Sequence, residues 1–264
     1  MLPLSIPTKD VVKNTAKTIM KRSPMATAVI SLVILAVFFL TQFLFTGTFA
    51  LVFNKMVILQ IIFGVLLFTC IFWPVLMGAI RFFWVFTEHK TNKIEAIFYY
   101  FSNFKVYSRA VKPVILLGLK IFLIAFLSFI PCFISSLLEG SWVYNTFDFN
   151  VPLWSANLRL ITDFLKFAGT ALTVFLSLKY YLYPVVAVMD ESLYLMEAMH
   201  ISEMISKQSI SAFASLVVSF IGWFLLSLLG LPLVYTLPFF LLSYVVHSRF
   251  ALVNYNLNLQ RVLG

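Results

Sequence analysis

Read as apolar and polar positions, the chain alternates long runs without charge and shorter segments in which charge recurs at helical spacing. No Lys, Arg, Asp or Glu occurs from Ser23 to Asn54, from Met56 to Ile80, or from Gln208 to Ser248. A helix needs about 20 apolar residues to cross the hydrocarbon core. The first two runs each suffice for one crossing. The third suffices for two, divided at Gly230-Leu231-Pro232. Two further apolar stretches, Val114–Leu137 and Asp163–Val188, carry Lys120 and Lys179. The pattern predicts six spans, the first over Met25–Phe45, with Pro74 and Pro238 as points of bending. Arg81-Phe82-Phe83-Trp84 closes the second span as a basic and aromatic interfacial anchor.

The segments between spans are amphipathic. Lys9, Lys13, Lys17 and Lys21 recur every four residues, with Val12, Ala16 and Ile19 turned away from them. Like charges at that spacing weaken an isolated helix, but beside an anionic bilayer each contributes about 1 kcal/mol. Pro7–Arg22 is therefore predicted to lie along the cytoplasmic surface. Asn92 and Glu95 have capping-box spacing, and Ile94, Ile97, Phe98 and Phe101 follow i, i+3, i+4, i+7. A third such helix is read over 192–207, with Asp190, Glu191 and Ser192 as its cap and first acidic residues. On it Tyr194, Ala198, Ile201 and Ile205 share one face, and Glu197, His200 and Lys207 another.

These elements form three parallel units over about 7–86, 87–189 and 190–264, each a cytoplasmic surface helix followed by a membrane hairpin. The expected fold is thus an all-α polytopic bundle forming a single membrane domain. Lys9, Lys13, Lys17, Lys21 and Arg22 precede the first span, and Arg81, Lys90, Lys93, Lys105, Arg109 and Lys112 surround the second surface helix. The intervening outer turns hold only Lys55, Arg159 and Lys166. The positive-inside rule then sets both termini in the cytoplasm. The first span is too long for a signal-peptide core and lacks a small-x-small cleavage site, so it reads as a retained anchor.

Composition agrees. Of 264 residues, 62% are hydrophobic and 11% charged, where soluble domains average about 25% charged. This excludes the water-soluble globular class. The net charge of +9 is accounted for by orientation and anionic lipid, with no nucleic acid implied. Cys70 and Cys132 lie in apolar spans without metal-type spacing and read as small hydrophobes. His89, His200 and His247 lack partners at i+3 or i+4. No Walker loop, zincin, nucleophile-elbow or dinucleotide pattern occurs. No enzyme, metal or cofactor is therefore expected.

The informative residues are ionisable groups within or at the lip of the bilayer. Lys179 precedes Asp190 by about 16 Å on a straight helix. If the fourth span runs to Asp190, Lys179 is near mid-bilayer and marks a cavity or partner. If the span ends at the tyrosines Tyr180, Tyr181 and Tyr183, Lys179 snorkels to the interface. Lys120 admits the same two readings. Together Lys179, Lys120, Arg249 and Arg81, with Tyr183, are the candidate set for an anionic phospholipid or other anionic ligand. The aromatic outer segment 142–154 is the candidate face for a protein partner.

The stretches K-Y-Y-L-Y-P-V-V-A-V-M-D-E-S from Lys179, E-A-M-H-I-S-E-M-I-S-K from Glu197 and S-F-I-G-W from Ser219 resemble a bacterial family of six-helix integral membrane proteins of unknown function. They are also similar to YciC-type inner-membrane proteins and to the membrane domain fused to some glycerophosphodiester phosphodiesterases. The resemblance implies a bacterial cytoplasmic-membrane location and transfers no catalytic residue. Mitochondrial carriers, which also have three two-helix units, are a poor match. Their P-x-[DE]-x-x-[KR] signature is absent after Pro74, Pro131 and Pro184. The expected function is a non-enzymatic membrane scaffold or accessory protein engaging anionic phospholipid and a partner. The alternative is a transporter or lipid-handling protein with a basic cavity open to the inner leaflet.

Overall fold

The computed structural model describes residues 7–52, 57–88, 93–139, 152–190, 193–227 and 232–263. Every element among them is helical. In order they are α1 (Lys9–Arg22), α2 (Pro24–Val52), α3 (Val57–Leu67) running through a π turn (Phe68–Phe72) into α4 (Trp73–Thr87), and a 3-10 helix (Ile94–Phe101). Then follow α5 (Phe104–Glu139), α6 (Pro152–Ser177), a 3-10 turn (Leu178–Tyr180), α7 (Tyr183–Met189), α8 (Leu195–Val218), α9 (Ile221–Ser227) and α10 (Leu233–Leu263). Five helices are long and apolar enough to cross a membrane, or six if α8 and α9, bent by 40°, count as one span. The chain is a multi-pass membrane protein by this measure.

The chain forms two compact units. The larger comprises residues 1–114 and 180–264. In it α2 and the α3–α4 helix run antiparallel: Phe45 lies against Gly64, and Phe38 and Phe72 have ring centroids 5.8 Å apart. The core gathers around α4, the first turns of α2, the 3-10 helix, α7, α8 and α10. From Leu241 to Ser248 every residue of α10 is buried, the pattern of a helix enclosed on all sides. The smaller unit, 115–179, pairs α5 with α6. Ser135 Oγ lies 2.7 Å from Thr162 Oγ1, and Gly169 sits under the Ser128 carbonyl. Small residues permit this close approach. Phe122, Phe126, Phe133, Phe164 and Phe167 face outward, as acyl chains require.

Several sequence expectations change in detail. The apolar stripe of α1 is as read: Val12, Ala16, Ile19 and Met20 are buried. It packs on α10 rather than into lipid, so protein covers the face that a surface helix would give to the bilayer. The second amphipathic segment is a 3-10 helix. Three residues per turn stack Ile97 on Tyr100. These two are buried, while Ile94, Phe98 and Phe101 are exposed. Gly78 of α4 makes this packing possible, because a Cβ there would overlap the Ile97 carbonyl.

The basic segment before the third span is not separate from it, since α5 is continuous from Phe104. Likewise α8 passes through Lys207 and Gln208 without a break, and the bend falls later, at Ser219–Phe220. The cap of α8 is Tyr194 with Glu197, whose Oε2 accepts the Tyr194 N–H at 3.1 Å. Asp190 instead ends α7. Segment 142–151, the larger part of the aromatic face proposed for a partner, lies outside the described residues, as do Glu191 and Ser192.

Candidate functional site

The fourth apolar stretch breaks at the tyrosines. Pro184 occupies the first turn of α7, where its missing N–H costs nothing, whereas in an unbroken helix it would leave the Tyr180 carbonyl without a donor and its ring would clash there. The chain therefore leaves α6 through the 3-10 turn, and Lys179 lies at that break, half-buried. The stretch apolar and long enough to cross a membrane nevertheless runs on through this break, from Leu160 to Met189. Lys120 is half-buried on α5, and both lysines belong to the 115–179 unit.

The other three candidates belong to the larger unit. The Arg81 guanidinium stacks 3.6 Å from the centroid of Tyr99 and hydrogen-bonds Tyr100, joining α4 to the 3-10 helix. Burial pushes the Tyr100 phenol up to about 12, with Arg81 opposing the shift. Arg249 donates to Thr87 Oγ1 at 2.7 Å and to Glu88 Oε1 at 3.2 Å, with its guanidinium 5.4 Å from the Trp84 ring centroid. These contacts tie α10 to the last turn of α4. Arg81 and Arg249 thus each hold a helix in place.

Tyr183 is fully buried, next to a different set of cations in the fold. It lines a cavity of about 340 Å³ with Lys105, Ser108, Arg109 and Lys112 of α5, and with Asp190 and Tyr194. Spacing of four and three residues puts Lys105, Arg109 and Lys112 on one helix face. The Asn103 side chain caps α5 by accepting the Lys105 N–H at 3.1 Å, and the positive end of the helix adds to the field in the cleft. Three cations and one carboxylate give the lining a net positive charge, a field that favours anions. Sequence reasoning counted these three residues as orientation signal. Their shared face was a signal of this cleft that the sequence carried.

A second cavity, also about 340 Å³, opens between α1, α2 and α10. Its walls are Met20, Pro24, Ala28, Val234 and Pro238, with Lys17 and Lys21 beside them. Below the lysines, Lys13 Nζ donates to the Ser219 carbonyl at 3.0 Å and lies 4.4 Å from the Phe220 ring centroid. Desolvation, then repulsion from Lys9, lowers the Lys13 pKa, and Asp10 acts in the opposite sense.

A third feature is a buried polar seam. Ser202, Ser206 and Ser209 of α8 are fully buried, as are Ser243, His247 and Ser248 of α10. Tyr181 connects the helices: its hydroxyl lies 2.6 Å from Ser209 Oγ and 3.0 Å from His247 Nε2. Its ring stacks on Phe213 at 4.0 Å, and its carbonyl accepts the Tyr244 hydroxyl at 2.6 Å. Ser209 Oγ also lies 2.9 Å from the Ile205 carbonyl. If Ser209 donates there, Tyr181 donates to Ser209 and His247 supplies its Nε2–H to Tyr181. No carboxylate orients the imidazole in these bonds, and among the described residues no three metal-ligating side chains gather.

No family model, curated protein or solved structure matches the chain.

Proposed function

We propose that the protein is a non-catalytic scaffold or accessory protein of a bacterial cytoplasmic membrane that holds anionic phospholipid in its basic cleft. The single observation behind this reading is that Lys105, Arg109 and Lys112, on one helix face, line one cavity together with Tyr194. Arginine offers a planar fork to phosphate oxygens and the lysines act as point charges. The exposed Tyr194 hydroxyl can donate to the same oxygens. The three cations directly precede the apolar part of α5, the level at which head groups meet a spanning helix. On the positive-inside rule this end faces the cytoplasm, together with α1.

The test is retention of lipid by the purified protein in native mass spectrometry. Each cation near an anionic surface contributes about 1 kcal/mol, so removing three should weaken binding about a hundredfold. The variant Lys105→Ala/Arg109→Ala/Lys112→Ala is expected to lose bound phosphatidylglycerol while its thermal unfolding midpoint stays near that of the parent. Undiminished retention in a folded variant would remove the cleft from the account.

A further inference from the structure

The cavity between α1, α2 and α10 has a lining of a different kind from that of the basic cleft. Ser23, with φ −147° and ψ 74°, interrupts the helix between α1 and α2. On one side of this break Lys17, Met20 and Lys21 share a face of α1, and on the other Pro24, Thr27 and Ala28 share a face of α2. The opposite wall is Val234, Tyr235 and Pro238 of α10.

Three parts of this lining each ask for a different group. Lys17 and Lys21 are exposed, and no carboxylate is among the described residues that line the cavity. Like charges four residues apart repel, and an anion between the two ammonium groups, such as a phosphate, relieves that repulsion. Met20, Pro24, Ala28, Val234 and Pro238 make most of the remaining wall apolar. At about 340 Å³ the cavity is at the small end of ligand sites, which span about 300–1,000 Å³, a size that suits one acyl chain better than two. The face of α2 that holds Ala28 continues as Leu32, Phe39 and Phe43, all exposed, so a chain longer than the cavity has an apolar track to follow. The third part is an acceptor. A helical carbonyl takes its hydrogen bond from the N–H four residues on. For Val234 that residue is Pro238, which has no N–H. Both residues line the cavity, so the carbonyl deprived of its helical donor lies in the wall and calls for another.

We infer that this cavity binds a single-chain anionic amphiphile with a free hydroxyl, the chemistry of a lysophospholipid. Its phosphate meets Lys17 and Lys21. Its acyl chain lies between Ala28 and Pro238 and leaves along α2. Its glycerol hydroxyl donates to the Val234 carbonyl. A diacyl lipid has no free hydroxyl on the acylated glycerol and brings a second chain, and a fatty-acid carboxylate has no donor at all. The lining shares no residue with the basic cleft, and the inference is independent of what that cleft binds.

The experiment uses the full chain in a non-ionic detergent, with binding read by native mass spectrometry. The probes are palmitoyl lysophosphatidic acid, its deoxy analogue without the glycerol hydroxyl, dipalmitoyl phosphatidic acid and palmitate. Lysophosphatidic acid should bind most tightly, and its binding should survive Lys105→Ala/Arg109→Ala/Lys112→Ala. The variant Lys17→Gln/Lys21→Gln should weaken it about thirtyfold, about fivefold for each charge. The deoxy analogue should bind about tenfold more weakly than lysophosphatidic acid. Pro238→Ala gives the Val234 carbonyl an N–H and should remove that difference. Equal binding of the deoxy analogue by the unsubstituted chain would overturn the inference by taking the hydroxyl out of the site. Phosphatidic acid or palmitate binding as tightly as lysophosphatidic acid would overturn it in favour of an ordinary phospholipid or a fatty acid. So would binding unchanged in a Lys17→Gln/Lys21→Gln variant that keeps its unfolding midpoint, because the ligand would then sit elsewhere.

Discussion

Replacing Tyr181 by Phe tests the buried seam between α8 and α10. The substitution keeps the ring on Phe213 and the carbonyl that accepts from Tyr244, so packing changes little. It removes one hydroxyl and with it the bonds of 2.6 Å to Ser209 and 3.0 Å to His247. Ser209 keeps the Ile205 carbonyl as a partner. His247 is 1% exposed, so its Nε2 has no solvent to turn to. An unsatisfied buried polar group costs about 1–3 kcal/mol. At about 2–4 °C per kcal/mol for a chain of this size class, the unfolding midpoint should fall by about 2–12 °C. A fluorogenic maleimide reports it through the two free cysteines, Cys70, which is half-buried, and Cys132, which is buried. Adding His247→Leu removes the second polar partner, and the double variant should recover part of the loss, since replacing both members by apolar groups is nearly neutral. An unchanged midpoint in Tyr181→Phe, or a double variant worse than the sum of the singles, would refute this account of the seam.

Two further expectations concern the junction of α4 with the 3-10 helix. Gly78→Ala sets a methyl against the Ile97 carbonyl, and displacing backbone in a packed site costs about 1–3 kcal/mol; its unfolding midpoint should drop, and parent-like stability would show that the 3-10 helix yields freely. Tyr100 titrates near 12 in the folded protein against 10.0 when unperturbed, so its contribution to stability is complete below pH 10 and is lost as pH rises through 12. The phenolate difference spectrum between parent and Tyr100→Phe should accordingly have a midpoint near 12, and a midpoint near 10 would mean that the phenol is not desolvated.

Much of the helical layout was legible along the chain, because apolar runs, lysine periodicity and proline positions act locally. The stripe Val12, Ala16 and Ile19 is buried as read, and on α8 Ala198 and Ile205 are buried while Glu197, His200 and Lys207 are exposed, but Tyr194, read on the face of Ala198, is 78% exposed. Hydropathy reports only that a segment avoids water. It cannot distinguish lipid from the interior of a protein, so the enclosure of α10 by α1, α2, α4 and α8 could not be read from its apolar run. The second amphipathic segment shows the same limit: a period of 3 and one of 3.6 share Ile94 and Ile97, and only the close approach at Gly78 selects Tyr100 over Phe98 for burial. Arg81 and Arg249 were recognisable as charges at helix ends, but their partners Tyr99, Tyr100, Thr87 and Glu88 follow from packing. Lys105, Arg109 and Lys112 became a candidate site only when the fold set them around one cavity with Asp190 and Tyr194. Charge and periodicity are written residue by residue, whereas depth in the membrane and the partner of each charge arise from contacts distant in sequence.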